Sequence, residues 1–169
     1  MNNILAYMMV LICRGNFVNL TKLNKLIFFC DIIYFIKNGK TISKEIYLKL
    51  PRGPVAKHAN NTRYTLIAND ILKEKEIKHS FYMEHKYKSN NKMKFDIIKE
   101  ALDKNNSGAS EIISNVITNL KEYKAGELSD ITHKYEPWKS AKAWGEELEL
   151  KLVKDDQDFK TWLSKNRLL

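Results

Sequence analysis

The chain has 169 residues, 44% hydrophobic and 29% charged, which fits one globular domain and excludes wholesale disorder. Its formal net charge is +9, split as 17 basic and 6 acidic residues over 1–94 (+11) and 12 basic and 14 acidic over 95–169 (−2). Only Arg14, Arg52, Arg63 and Arg167 are arginines, so the excess is lysine, a point charge without the guanidinium fork that readers of bases and phosphates favour.

The first element is an apolar run of ten residues, Ile4 to Cys13. It is half the length of a membrane span and lacks the basic start and small-residue cleavage site of a secretory signal. It is expected as a core helix over 3–13, ended by Gly15 and wrapped on all sides, and a cytoplasmic protein follows. Thr21 is the expected cap of a second helix. Leu23, Leu26, Ile27, Cys30, Ile33 and Tyr34 recur there at helical spacing up to Gly39. Asp31 lies inside this apolar helix, so it is expected either at a wet edge or paired with a base. Residues 40–51 fit a short helix or an extended edge. Pro51 and Pro54 then bracket Arg52-Gly53, and Pro54 is expected to start a helix to about Lys75, with Val55, Tyr64, Ile67, Ala68, Ile71 and Leu72 inward.

Residues 77–88 are rich in aromatics with some alternation and read as one or two strands, followed by a turn at Asn90-Asn91. Helices are expected over 95–103, 110–123, 127–134 and 158–165. The expected fold is mainly α with a small antiparallel β-sheet, an α+β class, as a single compact helical domain over 1–169. Cys13 and Cys30 lie in apolar runs and are expected as buried free thiols rather than a disulfide or a metal knuckle.

Three patches resemble a known family when taken in order. They are Thr21-Lys22-Leu23-Asn24-Lys25-Leu26-Ile27-Phe28-Phe29-Cys30-Asp31, then Leu50-Pro51-Arg52-Gly53-Pro54-Val55, then residues 128–141 with His133, Pro137 and Trp138. Their order and spacing resemble the Panacea domain of the SocA-like antitoxins, a family also known from phage-associated GepA proteins, and the likeness is strongest over 4–143. The resemblance implies that Leu23, Lys25, Leu26, Asp31, Gly53, Pro54, Val55, His133, Pro137 and Trp138 are the structural motif residues. It also implies a toxin–antitoxin function, in which the partner is a cognate toxin protein. That toxin is neutralised directly or by delivery to a protease. Two departures from the family pattern are Arg52, where an aromatic is usual before the Gly-Pro-Val turn, and the Lys57-His58-Ala59 stretch after it.

Side-chain type and expected exposure nominate Arg52, Lys57, His58, Arg63 and Trp138 as partner-facing. His133 follows Asp130 by three residues on one helical face, but no nucleophile elbow accompanies the pair. His133 is therefore expected to tie a helix end to backbone near Pro137, with Trp138 packed beside it. His79 and His85 are six apart in a strand-like segment and are expected to share a face with Glu84 on the other, two ligands where zinc usually takes more. No phosphate loop, dinucleotide fingerprint or metalloprotease motif is present, and no catalytic residue, cofactor or metal is expected. Two other readings compete: a nucleic-acid-binding autoregulator using the basic N-terminal half, and a hydrolase or nuclease using Asp130, His133 or the strand histidines.

Overall fold

The longest helix of the protein is surrounded by everything else. The computed structural model describes residues 3–90 and 92–169. In chain order it contains α1 (Asn3–Ile12), β1 (Val18–Asn19), α2 (Leu20–Asn38), β2 (Tyr47–Leu48), β3 (Val55–Ala56), α3 (Ala59–Ala68), β4 (Leu72–Lys78) and β5 (Met83–Ser89). Then come α4 (Phe95–Asn105), α5 (Ala109–Leu120), α6 (Ala125–His133), α7 (Glu136–Ser140), a 3₁₀ turn at Leu150–Lys154 and α8 (Gln157–Lys165). It is a mainly helical α+β fold with a small antiparallel sheet.

Residues 25–34 of α2 are all buried, as a helix apolar nearly all round must be. Phe28 packs edge-on against Phe29, Tyr47 and Tyr135, with ring centroids 5.3–5.8 Å apart. Phe29 continues the aromatic layer into Phe159 and Trp162 of α8. One cluster of buried side chains extends from Leu5 to Leu168. α1 is a wrapped core helix, as its composition dictates, and Cys13 and Cys30 are both buried and free. Burial pushes the Cys13 thiol up to about 12. Among the described residues no helix is long and apolar enough to cross a membrane.

The cap of α2 is Asn19 rather than Thr21. Asn19 Oδ1 accepts from the Lys22 N–H at 2.8 Å, because β1 has already drawn Val18-Asn19 into the extended conformation an N-cap needs. Gly39 closes the helix in a left-handed conformation (φ 73°), its N–H donating to Phe35 O.

The helix expected over 54–75 is not formed as such. Val55-Ala56 pair antiparallel with Tyr47-Leu48, so Pro54 enters a strand and the segment before it is extended. The helix that follows is only Ala59–Ala68; Asn69 and a left-handed Asp70 (φ 53°) end it, and Asn90 Nδ2 donates to Asp70 O and Oδ2. Tyr64 and Ala68, expected inward, are exposed, while Leu72 is buried.

The strand expected over 77–88 is a hairpin in which Leu72 faces Ser89 and Lys78 faces Met83, with β1 on the far side in the order β1-β5-β4. Its reversal falls at residues 79–82, where the His79 N–H donates to Tyr82 O. The turn expected at Asn90-Asn91 falls after the hairpin, and Asn91 lies outside the described residues. Charged Lys73, Glu74, Lys75 and Glu76 line β4, which keeps this free edge from pairing with other chains.

Asp31 is fully buried and pairs with no base. Its carboxylate accepts from the Ser43 N–H (2.9 Å), the Ser43 hydroxyl and the Tyr47 hydroxyl (2.7 Å). Burial raises its pKa to about 6 against these hydrogen bonds, which pull it down. A raised folded-state value means that stability from this group is complete below the ordinary 3.8 and is lost as pH rises through about 6. The difference in unfolding free energy between the wild type and Asp31→Asn should therefore fall as pH rises across that window, followed by urea denaturation at stepped pH.

Candidate functional site

Lys25, Gly53 and Pro54, three of the residues that the family resemblance singles out, meet at one turn. Leu50-Pro51-Arg52-Gly53 is closed by the Gly53 N–H donating to Leu50 O at 2.8 Å, with Pro and Gly at the second and fourth positions such turns favour. Arg52 takes the exposed third position. Gly53 has φ 89°, and a Cβ there would collide with Thr132 Oγ1 and come within 2.9 Å of Lys25 Nζ. Lys25, 1% exposed, reaches from α2 and donates to Pro54 O at 2.6 Å. Thr132 on α6 donates back to Ser129 O. Helix α2, the turn and α6 thus interlock through Lys25, Gly53, Pro54 and Thr132.

Lys25 has no carboxylate within ion-pair distance among the described residues, and burial lowers its pKa to about 7. The cost of burying it is met by a neutral carbonyl alone.

Beside this lock, the His133 ring stacks on Trp138 at 4.2 Å, and Lys49 Nζ lies 4.2 Å over Trp138 and 5.7 Å from the Trp144 ring while donating to Ala141 O. The expected tie from His133 to backbone is not made. Instead, His133 Nε2 and Trp138 Nε1 are both buried with no hydrogen-bond partner among the described residues. Burial first, then the nearby charges of Lys25 and Lys49, lowers the His133 pKa, and Asp130 acts against them.

Two adjoining clefts open on either side of the turn and share Leu20, Thr21, Pro51 and Arg52. The larger, about 460 Å³, runs between the start of α2, the hairpin residues Tyr82 to His85 and the α6 face bearing Ser129, Asp130 and His133. The smaller, about 330 Å³, has Lys25 in its lining. At the hairpin tip Phe81 is 99% exposed, and Tyr82 and Met83 are also open to solvent.

The five nominated partner-facing residues do not form one patch. Arg52 is exposed, lines both clefts and makes no hydrogen bond or ion pair among the described residues. Lys57 pairs with Glu147 at 3.7 Å, and both the backbone N–H and the ring Nδ1 of His58 lie 3.0 Å from Glu45 Oε2 in a separate cleft. Arg63, expected outward, is 5% exposed. Its Nη1 donates to Asn60 Oδ1, and its guanidinium sits between Tyr64 and Tyr87. Trp138 is half-buried. The open aromatics Phe81 and Trp144 were missed; neither belongs to a helical or strand apolar pattern in the sequence.

His79 and His85 do not share a strand face. His79 Nε2 lies 3.2 Å from Glu84, and His85 Nδ1 lies 3.0 Å from Glu74 across the hairpin. Glu74, Glu76 and His85 bring three ligand-type atoms within 4.8 Å of one another, the one metal-competent grouping among the described residues, and of the three His85 also lines the larger cleft.

The class that the fold defines is a mainly helical α+β domain with a small antiparallel sheet, in which a proline-glycine turn is locked between α2 and α6. The family model described as antitoxin SocA-like, Panacea domain, matches residues 23–139. The chain belongs to this family. No curated protein and no solved structure matches it.

The lock carries two expectations. Because the folded-state pKa of Lys25 is depressed, the stability it contributes is present above the ordinary 10.5 and is lost as pH falls to about 7. The unfolding free energy of wild type relative to Lys25→Met should therefore rise from pH 7 to 10.5 in denaturation curves. Gly53→Ala, at a positive φ and into occupied space, should cost more than about 1 kcal/mol in the same assay.

Proposed function

We propose that this protein is an antitoxin that binds a cognate toxin protein and neutralises it, without catalysis of its own and in the cytoplasm. The observation that carries the reading is the family match over residues 23–139; within it Lys25, Gly53 and Pro54 lock one turn that is flanked by two clefts. The surface there supports a protein partner. Open Phe81, Tyr82 and Met83 stand beside an unpaired Arg52, the mixture of aromatic anchor and arginine on which protein interfaces depend. Lys73 and Lys75 share a sheet face with Lys88 and Lys86 across the hairpin, but Lys86 is paired there with Glu84 at 3.4 Å, and the patch holds lysine point charges without the arginine forks that phosphate and base readers favour.

The test is co-expression. A toxin encoded in a neighbouring reading frame should arrest growth alone, and this chain should restore growth and co-purify with it. A steady toxin level in the rescued cells marks neutralisation by direct binding, and a falling level marks delivery to a protease. Failure of both rescue and co-purification overturns the antitoxin reading. The competing autoregulator reading expects a sequence-selective gel shift on the chain's own promoter that persists at physiological salt.

A further inference from the structure

The smaller cleft differs from the larger in its charge. Glu84 and Asp130 line the larger one, but every ionisable residue lining the smaller is a cation, Lys25 and Arg52. Neither cation has an acidic counterpart. Lys25 spends one N–H on Pro54 O, and among the described residues it faces no carboxylate at ion-pair distance and Arg52 makes no hydrogen bond or ion pair. The neutral polar residues of the lining are Thr21, Asn24 and Asn60. Asn60 Oδ1 accepts from Arg63, which leaves both N–H donors of its amide for a ligand. A buried cation, an open guanidinium and amide donors in one concave lining together demand an acceptor carrying negative charge.

We propose that this cleft receives the side-chain carboxylate of an Asp or Glu on the partner protein, with Arg52 gripping it through two N–H donors and Lys25 supplying the charge beneath. The inference rests on the antitoxin reading and names the chemistry of its partner at this site. A carboxylate is favoured over a nucleic-acid phosphate by the surroundings. Glu84 and Asp130 on the adjoining wall would repel a phosphate chain running past the turn, while an acidic side chain flanked by apolar neighbours meets Tyr82 and Met83. The Arg–carboxylate fork gives both geometry and strength in a site partly shielded from water. Arg52 can make this contact because it stands at the exposed third position of a turn whose backbone is held by Gly53 and Lys25.

The test titrates the full-length, isotope-labelled chain with a hexaglutamate peptide and, in parallel, with hexaglutamine and inorganic phosphate, following backbone amide shifts. Hexaglutamate should give saturable shifts at Thr21, Asn24 and Asn60, hexaglutamine none, and Arg52→Gln should weaken the binding by about tenfold. Lys25→Met should weaken it too. Because that buried variant is at risk of not folding, the exposed Arg52→Gln is the deciding one. Absence of saturation, equal response to hexaglutamine, or unchanged affinity in Arg52→Gln overturns the proposal. So does a response to phosphate without one to hexaglutamate. In the growth assay, full rescue and unchanged toxin affinity by Arg52→Gln would overturn this proposal while leaving the antitoxin reading intact. Failure of the wild type to rescue would overturn the antitoxin reading, whatever the peptide does.

Discussion

Helix α2 buries two opposite charges, and the fold depends on their not being spent on each other. Lys25 and Asp31 are six residues apart, about 9 Å along the axis and well round the helix from one another, so they cannot meet. Each must find neutral groups instead, and each finds them in the irregular segment between α2 and α3. Asp31 collects the Ser43 N–H and hydroxyl and the Tyr47 hydroxyl. Lys25 takes the Pro54 carbonyl. A segment with only a two-residue strand pairing of its own is thereby pinned at two points to the most buried helix in the protein. An ion pair between the two would have satisfied the helix and left that segment to its links with residues 145–148, such as Lys49 N–H to Glu146 O, without a direct tie to α2 at these two points.

The tether decides what the surface can offer. Because Pro54 O is held by Lys25 and Gly53 lies against Thr132, the turn has no freedom to slide along α2 or away from α6. Arg52 is then a mobile side chain on a fixed backbone, the arrangement in which a contact residue loses least entropy on binding. The same economy acts at Lys49, which is positioned by Ala141 O and the faces of two tryptophans and in turn keeps Trp138 and Trp144 at the edge of the lock.

Much of this was legible in the sequence, and the parts that were not share a cause. The wrapped character of α1 and α2 follows directly from their unbroken apolar runs, and the three patches gave the family. What composition cannot convey is which neutral atom answers a buried charge. Asp31 was flagged as a problem, yet its partners Ser43 and Tyr47 lie 12 and 16 residues on, where no helical or strand periodicity links them to it. The helix expected over 54–75 failed for a related reason. Lys73-Glu74-Lys75-Glu76 is good helix sequence, but Glu74 is claimed by Tyr87 and His85 across the hairpin, and that pairing overrides local preference. Arg63 was nominated as outward because arginine usually is; its long apolar stem and planar head instead fill the space between Tyr64 and Tyr87.

The basic half of the chain now has a physical account. Several of its lysines are turned inward as donors to carbonyl oxygens: Lys22 to Lys121 O and Tyr123 O at the end of α5, Lys25 to Pro54 O, and Lys49 to Ala141 O. Each joins an early element to a carbonyl that lacks a helix or sheet partner, so the +11 of residues 1–94 is in part a set of structural staples rather than a surface field. Others, Lys57 and Lys86, are matched by Glu147 and Glu84. Once those are set aside, the charge around the locked turn narrows to Arg52, open and unanswered, above a buried lysine. At the locked turn, the excess that looked like an attraction for phosphate becomes a small concave surface holding one open arginine and one buried lysine.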